Sequence, residues 1–368
     1  MLEWKSIGSI CSSVFAGGTP NTKKAEYYDG NIPWIRSGEI DFNVIKTAER
    51  NITQEGYNNS SAKMIRKNSV VMAMTGATVA KTAVVAIETT ANQSVCALET
   101  DESKANYKYV YYCLAKNYFK IKSSAQGALT SLNLAMIKQI EIPVPSLSEQ
   151  SRIVSILDTF TDSIDNLKQQ IEQRRKQYEH YRDQLLEFKG KEGVEMKALE
   201  EICNITAGGD VPSNSYSKEK TINYYIPIIS NGIGSNAIYG YTETYKINQP
   251  SVTIAARGTI GYAEYRDYPY YPIVRLISVS PFDQTIVNTK YLYYRLVGQK
   301  YNVSRAGIPQ LTVPMVKKVV VKLPDIEEQS RIVSILDTFE ASIANLEEQL
   351  KLREKQYEYY RNKLLTFE

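Results

Sequence analysis

Two segments of the chain carry hydrophobic side chains at alternating steps of three and four residues, from Leu157 to Phe188 and from Leu336 to Phe367. This spacing places the apolar side chains along one stripe of an α-helix and is typical of a coiled-coil seam. Each helix would span about 40 residues and about 60 Å, so its stripe needs a partner of similar length. We expect the two helices to pair through ten seam positions, which are Leu157, Phe160, Ile164, Leu167, Ile171, Leu336, Phe339, Ile343, Leu346 and Leu350.

An arginine interrupts each stripe, Arg174 in the first helix and Arg353 in the second. A charge inside a seam is costly unless the side chain reaches solvent or the guanidinium meets a carboxylate. Two interpretations stay open. The arginines extend to water where the helices cross, or each meets an acidic residue of the facing helix and penalises slipped registers.

The two predicted helices are copies of one sequence. The twelve residues from Glu149 to Phe160 recur unchanged from Glu328 to Phe339, and 27 of the 40 positions from Glu149 to Phe188 are identical in the second copy. A repeat of this length means that each half of the chain ends in the same element. Two nearly identical helices predict two equivalent docking surfaces for one kind of partner.

The regions that precede the helices predict two mostly-β domains of one fold. Apolar runs at 69–74, 81–87, 251–255 and 273–279 indicate strands, separated by Gly, Asn and Pro, and helices are expected near 106–120 and 288–300. Short motifs recur between the regions, such as IPWIRSG at 32–38 and IPIISNG at 226–232. The predicted class is α+β with a pseudo-two-fold repeat, divided into a globular domain at 1–148, a long helix at 149–191, a second globular domain at 192–327 and a second long helix at 328–368.

Charge and composition point weakly to a phosphate-bearing partner. The net charge of +4 separates into +7 outside the helical segments and −3 within them. A basic excess in globular domains fits nucleic-acid binding but justifies only a weak expectation.

No apolar stretch reaches the roughly 18 to 20 residues of a membrane span, and the first residues lack a signal peptide, so we expect a cytoplasmic chain with no membrane partner.

The sequence lacks the usual motifs of an enzyme. It has no phosphate-binding glycine loop of the GxxxxGK[ST] type, no amino-methyltransferase motif, and a single histidine, His180. The four cysteines, which are Cys11, Cys96, Cys113 and Cys203, have no CxxC spacing, so neither a metal site nor a disulfide framework is expected. We therefore expect a chain that is not an enzyme.

The passages into the two helices resemble one protein family. IPVPSLSEQ at 142–150, and less closely VKLPDIEEQ at 321–329, are similar to the Pro-rich, Glu-Gln start of the long helix in specificity subunits of type I restriction-modification enzymes. The family's order of target recognition domain, spacer helix, target recognition domain and spacer helix covers the whole chain. The second copy departs from the pattern at Lys322, where a proline is usual.

The resemblance implies a specific function. Each globular domain would read one half of a bipartite, asymmetric target in double-stranded DNA, and the two helices would pack antiparallel as a coiled coil that sets the spacing. The chain would bind two methyltransferase subunits, joined by restriction subunits for cleavage. S-adenosylmethionine is then expected on the methyltransferase, ATP and magnesium on the restriction subunit, and no cofactor or metal on this chain. Half-sites read from one face of DNA would lie about 34 to 36 Å apart, which implies several unread base pairs.

Three alternatives remain beside this hypothesis. The chain could serve a related fused restriction-methylation system, it could be a stand-alone nuclease or methyltransferase, or it could be a coiled-coil scaffold without a nucleic-acid role. The enzyme alternative requires a motif that the sequence does not contain, and the scaffold alternative predicts no salt-sensitive affinity for DNA.

Three pairs of predicted loops carry side chains suited to base edges or phosphates. The pairs are loop A (36–38 and 230–232), loop B (74–81 and 256–262) and loop C (126–133 and 305–312). The candidate DNA contacts in loop A are Arg36, Ser37, Ser230 and Asn231, those in loop B are Thr75, Thr78, Lys81, Arg257 and Thr259, and those in loop C are Gln126, Thr130, Ser131, Arg305 and Gln310.

Each loop also has an ordinary structural interpretation. Loop A contains the turn signal Asn231-Gly232, and loop B has the glycine expected of a hairpin. In loop C, Asn133 and Thr312 are expected to be helix N-caps. Clusters of tyrosine at 107–112 and 262–271 are either phosphate or base contacts or, as we expect more often, part of the core.

Overall fold

A computed structural model of the chain forms two compact units, of which the first comprises Met1–Lys168 with Glu348–Glu368 and the second comprises Gln169–Glu347. We call them unit 1 and unit 2. The boundaries lie inside both long helices, so each unit combines one globular region with a segment of each helix. The structure describes residues 2–125, 131–188, 192–212, 215–303 and 309–367.

Unit 1 is built around a five-stranded sheet. Its strands are β1 (Glu3–Ser6), β2 (Cys11–Ala16), β3 (Tyr28–Ile35), β4 (Val44–Ile45), β5 (Arg50–Ile52), β6 (Val70–Ala73), β7 (Thr82–Val85), β8 (Thr90–Ala91), β9 (Val95–Thr100) and β10 (Glu141–Val144). Its helices are α1 (Ile7–Ile10), α2 (Gln54–Asn58), α3 (Tyr107–Lys116), α4 (Tyr118–Ser123), α5 (Leu134–Lys138) and the first part of α6 (Leu147–Glu187).

The strands of unit 1 form three sheets. The largest has the order β2-β9-β6-β7-β4, the second has the order β5-β3-β8, and β1 pairs antiparallel with β10. Every side chain of β6 and β9 is buried, because apolar residues of α3 and α6 cover one face of these strands and a second core cluster, which includes Ile35, Ile40 and Ile65, covers the other. The predicted strands at 69–74 and 81–87 correspond to β6 and β7, and the predicted helix near 106–120 corresponds to α3 and α4.

Unit 2 repeats the same plan. Its strands are β11 (Glu195–Ala198), β12 (Cys203–Ala207), β13 (Tyr216–Ser217), β14 (Ile226–Ile229), β15 (Ile238–Thr242), β16 (Ser251–Ile254), β17 (Ala263–Arg266), β18 (Tyr271–Pro272), β19 (Ile277–Pro281) and β20 (Val320–Leu323). Its helices are α7 (Leu199–Ile202), α8 (Thr289–Leu296), α9 (Val313–Lys317) and the first part of α10 (Ile326–Leu365). The sheet orders are β12-β19-β16-β17, β13-β15-β14-β18 and β11-β20, which confirms the predicted α+β repeat.

Both long helices begin two residues before the predicted starts at 149 and 328. The reason is N-capping, since the Ser146 hydroxyl accepts from the Glu149 amide at 3.3 Å and the Asp325 carboxylate accepts from the Glu328 amide at 2.8 Å. The first helix ends at Glu187, and residues 189–191 of its predicted span lie outside the described residues. The helix boundaries at 149 and 328 are therefore corrected to Leu147 and Ile326.

A buried glutamine attaches each long helix to its own domain. Gln150 accepts from the Asn106 amide at 2.8 Å and donates to the Pro145 carbonyl at 2.9 Å. Gln329 makes the same two bonds with Asn288 at 2.8 Å and Pro324 at 2.8 Å. Both glutamines are fully buried, so losing one would leave backbone groups unsatisfied. Part of the repeated sequence therefore serves attachment within each unit.

The long helices pair antiparallel within each unit. In unit 1 the rings of Phe160 and Tyr360 stack with centroids 5.2 Å apart, and the Arg353 guanidinium lies 5.8 Å from the Phe160 centroid. In unit 2 the corresponding ring of Phe339 stacks on Tyr181 at 5.4 Å, and Arg174 lies 5.8 Å from its centroid. The seam arginines thus lie against aromatic rings. Neither interpretation from the sequence anticipated this partner.

The predicted seam positions differ in burial. Leu157 and Leu336 are fully buried in the cores of their units. Ile164, Leu167 and Ile171 are buried, whereas Phe160, Phe339, Ile343, Leu346 and Leu350 are partly buried.

The four cysteines are free and buried, and burial raises the pKa of each thiol to about 12. Among the described residues, no helix has the length and apolar character needed to span a bilayer.

Candidate nucleic-acid interface

Loops A, B and C of unit 1 meet at one place, although the sequence separates them widely. The Thr78 hydroxyl in loop B donates to the Ser37 carbonyl in loop A at 2.9 Å. The amide of Leu132 in loop C donates to the Met74 carbonyl in loop B at 2.8 Å. These two bonds join the three candidate segments into a single surface, which we call the loop cluster of unit 1.

Unit 2 contains the same cluster with the same two bonds. The Thr259 hydroxyl donates to the Asn231 carbonyl at 2.9 Å, and the Leu311 amide donates to the Ala256 carbonyl at 2.9 Å. Each bond joins the positions that correspond to those in unit 1. The two units therefore present one loop architecture, and the threonine of loop B in each unit acts partly as a tie between loops.

Loop B is a hairpin connection in both units, between β6 and β7 and between β16 and β17. Gly76 and Gly258 have φ angles of 79° and 68°, which glycine adopts readily. Ala80 and Gly261 near the end of the turn also have positive φ. The hairpin interpretation is thus confirmed. Thr75 follows the last strand residue of β6 closely and is partly buried at the start of this turn.

The basic candidates of unit 1 form ion pairs with acidic residues of the neighbouring segment 39–49. The Arg36 guanidinium pairs with Glu49 and lies 3.9 Å from Glu39, while Lys81 pairs with Asp41. The sequence does not predict these ion pairs, because Glu49 lies 13 positions from Arg36 and Asp41 lies 40 positions from Lys81. The loop cluster of unit 1 therefore carries less uncompensated positive charge than its sequence suggests.

The corresponding surface of unit 2 holds two arginines around one glutamine. The Arg257 Nε and Nη2 atoms donate to the Gln310 Oε1 at 3.2 and 2.8 Å, and the Arg275 Nη1 donates to the same oxygen at 3.4 Å. Within the part of the chain that the structure describes, neither arginine forms an ion pair with a carboxylate. Unit 2 therefore exposes uncompensated positive charge at its loop cluster.

Asn231 ties loop B to the segment that carries Arg275. Its amide nitrogen donates to the Val274 carbonyl at 2.7 Å, and its amide oxygen accepts from the Ala256 amide at 2.7 Å. Ser230 is also used within its loop, where its amide and hydroxyl donate to the Ala237 carbonyl at 2.8 and 3.2 Å. Both candidates of loop A in unit 2 thus form hydrogen bonds that hold the loop cluster together.

The predicted strand at 273–279 is wrong at its start. Val274 and Arg275 have φ angles of 52° and 60°, and β19 begins only at Ile277. The amides of Val274 and Arg275 donate to the carbonyls of Gly209 and Gly208 at 2.8 and 2.9 Å, which holds the left-handed turn. Arg275 was not a candidate from the sequence, because an alternating apolar run gives no sign of such a turn.

Three candidates, Gln126, Thr130 and Arg305, lie outside the described residues. Ser131 lies next to Leu132 at the described end of loop C and is partly buried. Asn133 is confirmed as a helix N-cap, because its side chain accepts from the Met136 amide at 2.9 Å. Thr312 occupies the N-cap position of α9 without a capping bond from its side chain.

The tyrosines near residue 110 belong to the core, as the sequence analysis favoured. The hydroxyls of Tyr109 and Tyr111 donate to the carbonyls of Pro143 and Phe42, both at 2.8 Å. Burial raises the pKa of both tyrosines. In unit 2, Tyr270 is fully buried and its hydroxyl bonds to Ser251 and Ser278 at 2.8 and 2.9 Å. These three side chains are therefore part of the protein interior.

A family sequence model and two similar proteins point to the same protein family. The sequence model of the family described as "Type I restriction modification DNA specificity domain" matches residues 1–174 and 191–353. Two Mycoplasma pneumoniae proteins described as type I specificity subunits are similar to the chain. One is 34% identical over 248 residues, covering 66% of this chain and 68% of that protein, and the other is 32% identical over 288 residues, covering 73% and 85%.

Solved structures share the fold. The crystal structure of the S subunit of a type I restriction-modification system from M. genitalium superposes with a TM-score of 0.69 at 17% identity, covering 100% of this chain and 97% of that chain. A chain from a study of the assembly and conformational transition of the type I restriction-modification system gives 0.61 at 18% identity, covering 99% and 97%.

Proposed function

The chain belongs to the type I restriction-modification DNA specificity family, and we propose that each of its units binds one half of a bipartite, asymmetric DNA target. Proteins of this family are specificity subunits without catalysis of their own, so the chain is not an enzyme. One observation carries the proposal. The same loop cluster recurs in both units, joined by the same two hydrogen bonds, yet it displays different side chains.

The difference between the clusters supports an asymmetric target. Thr75 and Ser131 of unit 1 correspond to Arg257 and Gln310 of unit 2. A serine or threonine hydroxyl can form hydrogen bonds with several bases. An arginine instead prefers guanine among the bases, and it also binds phosphate. A shared backbone with unlike contact residues would therefore orient both units similarly on DNA while each selects a different sequence.

Exchange of residues 1–148 for the corresponding domain of another family member tests this modular proposal. The hybrid, produced with its methyltransferase partner, should change one half of the methylated motif and leave the other half intact. Genome-wide mapping of methylated bases measures both halves at once. A change in both halves, or a motif without two separated halves, would contradict the proposal.

We also propose that the paired helices set the spacing of the half-sites and bind two methyltransferase subunits. Several repeated residues have internal roles, as Gln150 and Gln329 do, and these say nothing about a partner. Other repeated residues are exposed in both helices, where internal packing does not explain their identity. Such positions include Ser151 and Ser330, Ser155 and Ser334, Thr159 and Thr338, Lys176 and Lys355, Gln177 and Gln356, and Glu179 and Glu358.

Blocking these exposed faces tests the docking proposal. Ser155→Trp and Ser334→Trp each add bulk to one helix at a position without buried contacts, so each single variant should bind one methyltransferase subunit and the double variant none. Glu172→Trp and Lys351→Trp are matched controls, because these positions are exposed but differ between the copies. Native mass spectrometry measures the stoichiometry. Two bound subunits in the double variant would count against the proposed surface.

The cofactors follow from the same proposal. S-adenosylmethionine would bind to the methyltransferase partner, and ATP and magnesium to the restriction subunits, while this chain supplies recognition and geometry. Its place would be the cytoplasm, where chromosomal DNA is available. The scaffold alternative is distinguished by DNA affinity, since neutralisation of phosphates makes binding fall steeply as salt rises.

A further inference from the structure

Unit 2 contains a preformed arginine site that the sequence analysis did not find. We propose that Arg275 binds the major-groove edge of a guanine in the half-site of unit 2, and that Gln310 and Asn231 position it. This inference rests on the proposed function, and it assigns one base class to one unit. It also changes the role of Gln310, which the sequence suggested as a direct contact.

The donor geometry favours a base edge. Arg275 uses only Nη1 to bond Gln310, so the Nε and Nη2 groups remain as a two-donor edge. Guanine presents two acceptors, O6 and N7, at a spacing that such an edge matches. Arg257 turns its own Nε and Nη2 toward the same glutamine oxygen, so its Nε–Nη2 edge is occupied and its outer Nη1–Nη2 pair remains for other contacts. Of the two arginines, Arg275 therefore keeps the Nε–Nη2 edge for a base, whereas Arg257 uses that edge to hold Gln310.

The charge of the site is retained. Gln310 is neutral, so it orients both guanidinium groups without cancelling their charge. Unit 1 differs here, because Arg36 and Lys81 are paired with the carboxylates of Glu49 and Asp41. A guanidinium with no carboxylate partner is suited to an electron-rich ligand, and base edges and phosphates are the two such ligands in DNA.

The backbone fixes the direction of Arg275. Val274 and Arg275 are the only consecutive non-glycine residues with positive φ among those that the structure describes. Backbone bonds to Gly208 and Gly209 and the side chain of Asn231 hold this unfavourable turn. Such a conformation persists only where several contacts impose it, and it commonly occurs at binding sites. A phosphate contact needs charge nearby, whereas a base contact also needs this fixed orientation.

The corresponding place in unit 1 has no cation. In the turn between β8 and β9, Ser94 stands where unit 2 has Arg275, because the Val95 amide donates to the Asn92 carbonyl as the Leu276 amide donates to the Ile273 carbonyl. Loop B has Thr75 where unit 2 has Arg257, and loop C has Ser131 where unit 2 has Gln310. The arginine site is thus specific to unit 2, and the inference predicts a guanine read in this way only in the half-site of that unit.

The experiment uses the full chain with its methyltransferase partner. The methylated motif is mapped for the wild type, Arg275→Lys, Arg275→Gln and Gln310→Leu, and for Lys220→Gln, which removes an exposed charge elsewhere in unit 2. Arg275→Lys keeps the charge but loses the two-donor edge. It should reduce the preference for guanine at one position by about 10- to 100-fold, and Gln310→Leu should reduce it less. The half-site of unit 1 and the Lys220→Gln motif should not change.

Three results would overturn the inference. The half-site assigned to unit 2 by domain exchange contains no guanine, or Arg275→Lys keeps full discrimination at every position, or it weakens binding equally on all sequences. The last result would identify a phosphate contact, and a reduced dependence of affinity on salt in Arg275→Gln would support that outcome. If the methylated motif of the wild type is bipartite, any of these results would leave the proposed function intact. A wild-type motif without two separated halves would contradict the proposed function itself. Unchanged thermal unfolding of the variants would exclude misfolding as the cause.

Discussion

Asp158 and Asp337 occupy the same position of the repeat, and each binds a lysine and a tyrosine of its own unit. Lys108 and Tyr112 contact Asp158 at 2.6 Å each, while Lys290 and Tyr294 contact Asp337 at 2.8 and 2.6 Å. Three positions later the copies diverge, with Thr161 in the first helix and Glu340 in the second. Glu340 is the less favourable residue at this position, because a carboxylate there loses hydration on folding.

We expect Glu340→Gln to stabilise the protein at neutral pH. Burial is the largest cause that raises the pKa of Glu340 above its ordinary value of 4.5. The folded state then holds more protons than the unfolded state above pH 4.5, so stability falls as pH rises through the raised pKa and stays lowered at pH 7. The unfolding midpoint of the variant should exceed that of the wild type at pH 7.

The pH dependence provides the control for this prediction. Well below pH 4.5 the carboxyl is protonated in both states, so the difference in stability between Glu340→Gln and the wild type should disappear. Glu348→Gln, at an exposed position of the same helix, should show little effect at either pH. A difference between the calorimetric midpoints of the variant and the wild type that stays the same at both pH values would contradict the assigned cause.

The paired helices carry charges that distinguish one copy from the other. Lys168 lies 3.9 Å from Glu354 in unit 1, and Arg175 lies 2.6 Å from Glu347 in unit 2. Position 168 corresponds to 347 in the repeat and position 175 to 354, so α6 is basic at both positions and α10 is acidic at both. Pairing of unlike copies is attractive, whereas antiparallel pairing of two identical copies would oppose like charges.

A double-mutant cycle at Lys168 and Glu354 tests this selection. Lys168→Glu and Glu354→Lys should each reduce the free energy of unfolding, and the double variant should recover part of the loss. Both side chains are about half exposed, so the coupling should be only about 0.2 to 1 kcal/mol and should weaken in salt. The equivalent cycle at Arg175 and Glu347 is the matched comparison, measured by denaturant titration. Strictly additive losses in both cycles would exclude a role in pairing.

On the scale of the whole molecule, the charge and the repeat have separate roles. The two units share a backbone plan, while the excess of positive charge lies outside the helical segments. In the proposed function, the loop clusters recognise DNA and the helices determine how far apart the two half-sites lie. This division of roles predicts that spacing and sequence preference change independently.

Insertion of four residues within 189–193, between α6 and β11, should change the number of unread base pairs while both half-sites keep their sequence. The insertion alters the connection between the first helix and the second domain without altering either loop cluster. The same insertion in the exposed turn at 283–285 is the control and should leave the gap unchanged. Motif mapping measures the gap, and an unaltered gap in the first variant would contradict the spacer role.

The sequence alone determined the elements that depend on local pattern. The steps of three and four residues specified two long helices, the repeat specified two similar halves, and the glycines of loop B were compatible with hairpins. The helix starts are also encoded locally, because Ser146 and Asp325 are N-cap residues three positions before the repeated Glu-Gln pair. Periodicity and capping act between near neighbours, so they can be detected without the fold.

Only the tertiary structure decided which of these elements meet. The contacts of Thr78 with Ser37, of Arg36 with Glu49 and of Gln310 with Arg275 join residues far apart in the chain, and no local pattern specifies such pairs. The left-handed turn at Arg275 is likewise imposed by Gly208, Gly209 and Asn231 rather than by its own sequence. Side-chain identity set the available chemistry, whereas packing determined which charges are compensated and which remain free to bind a ligand.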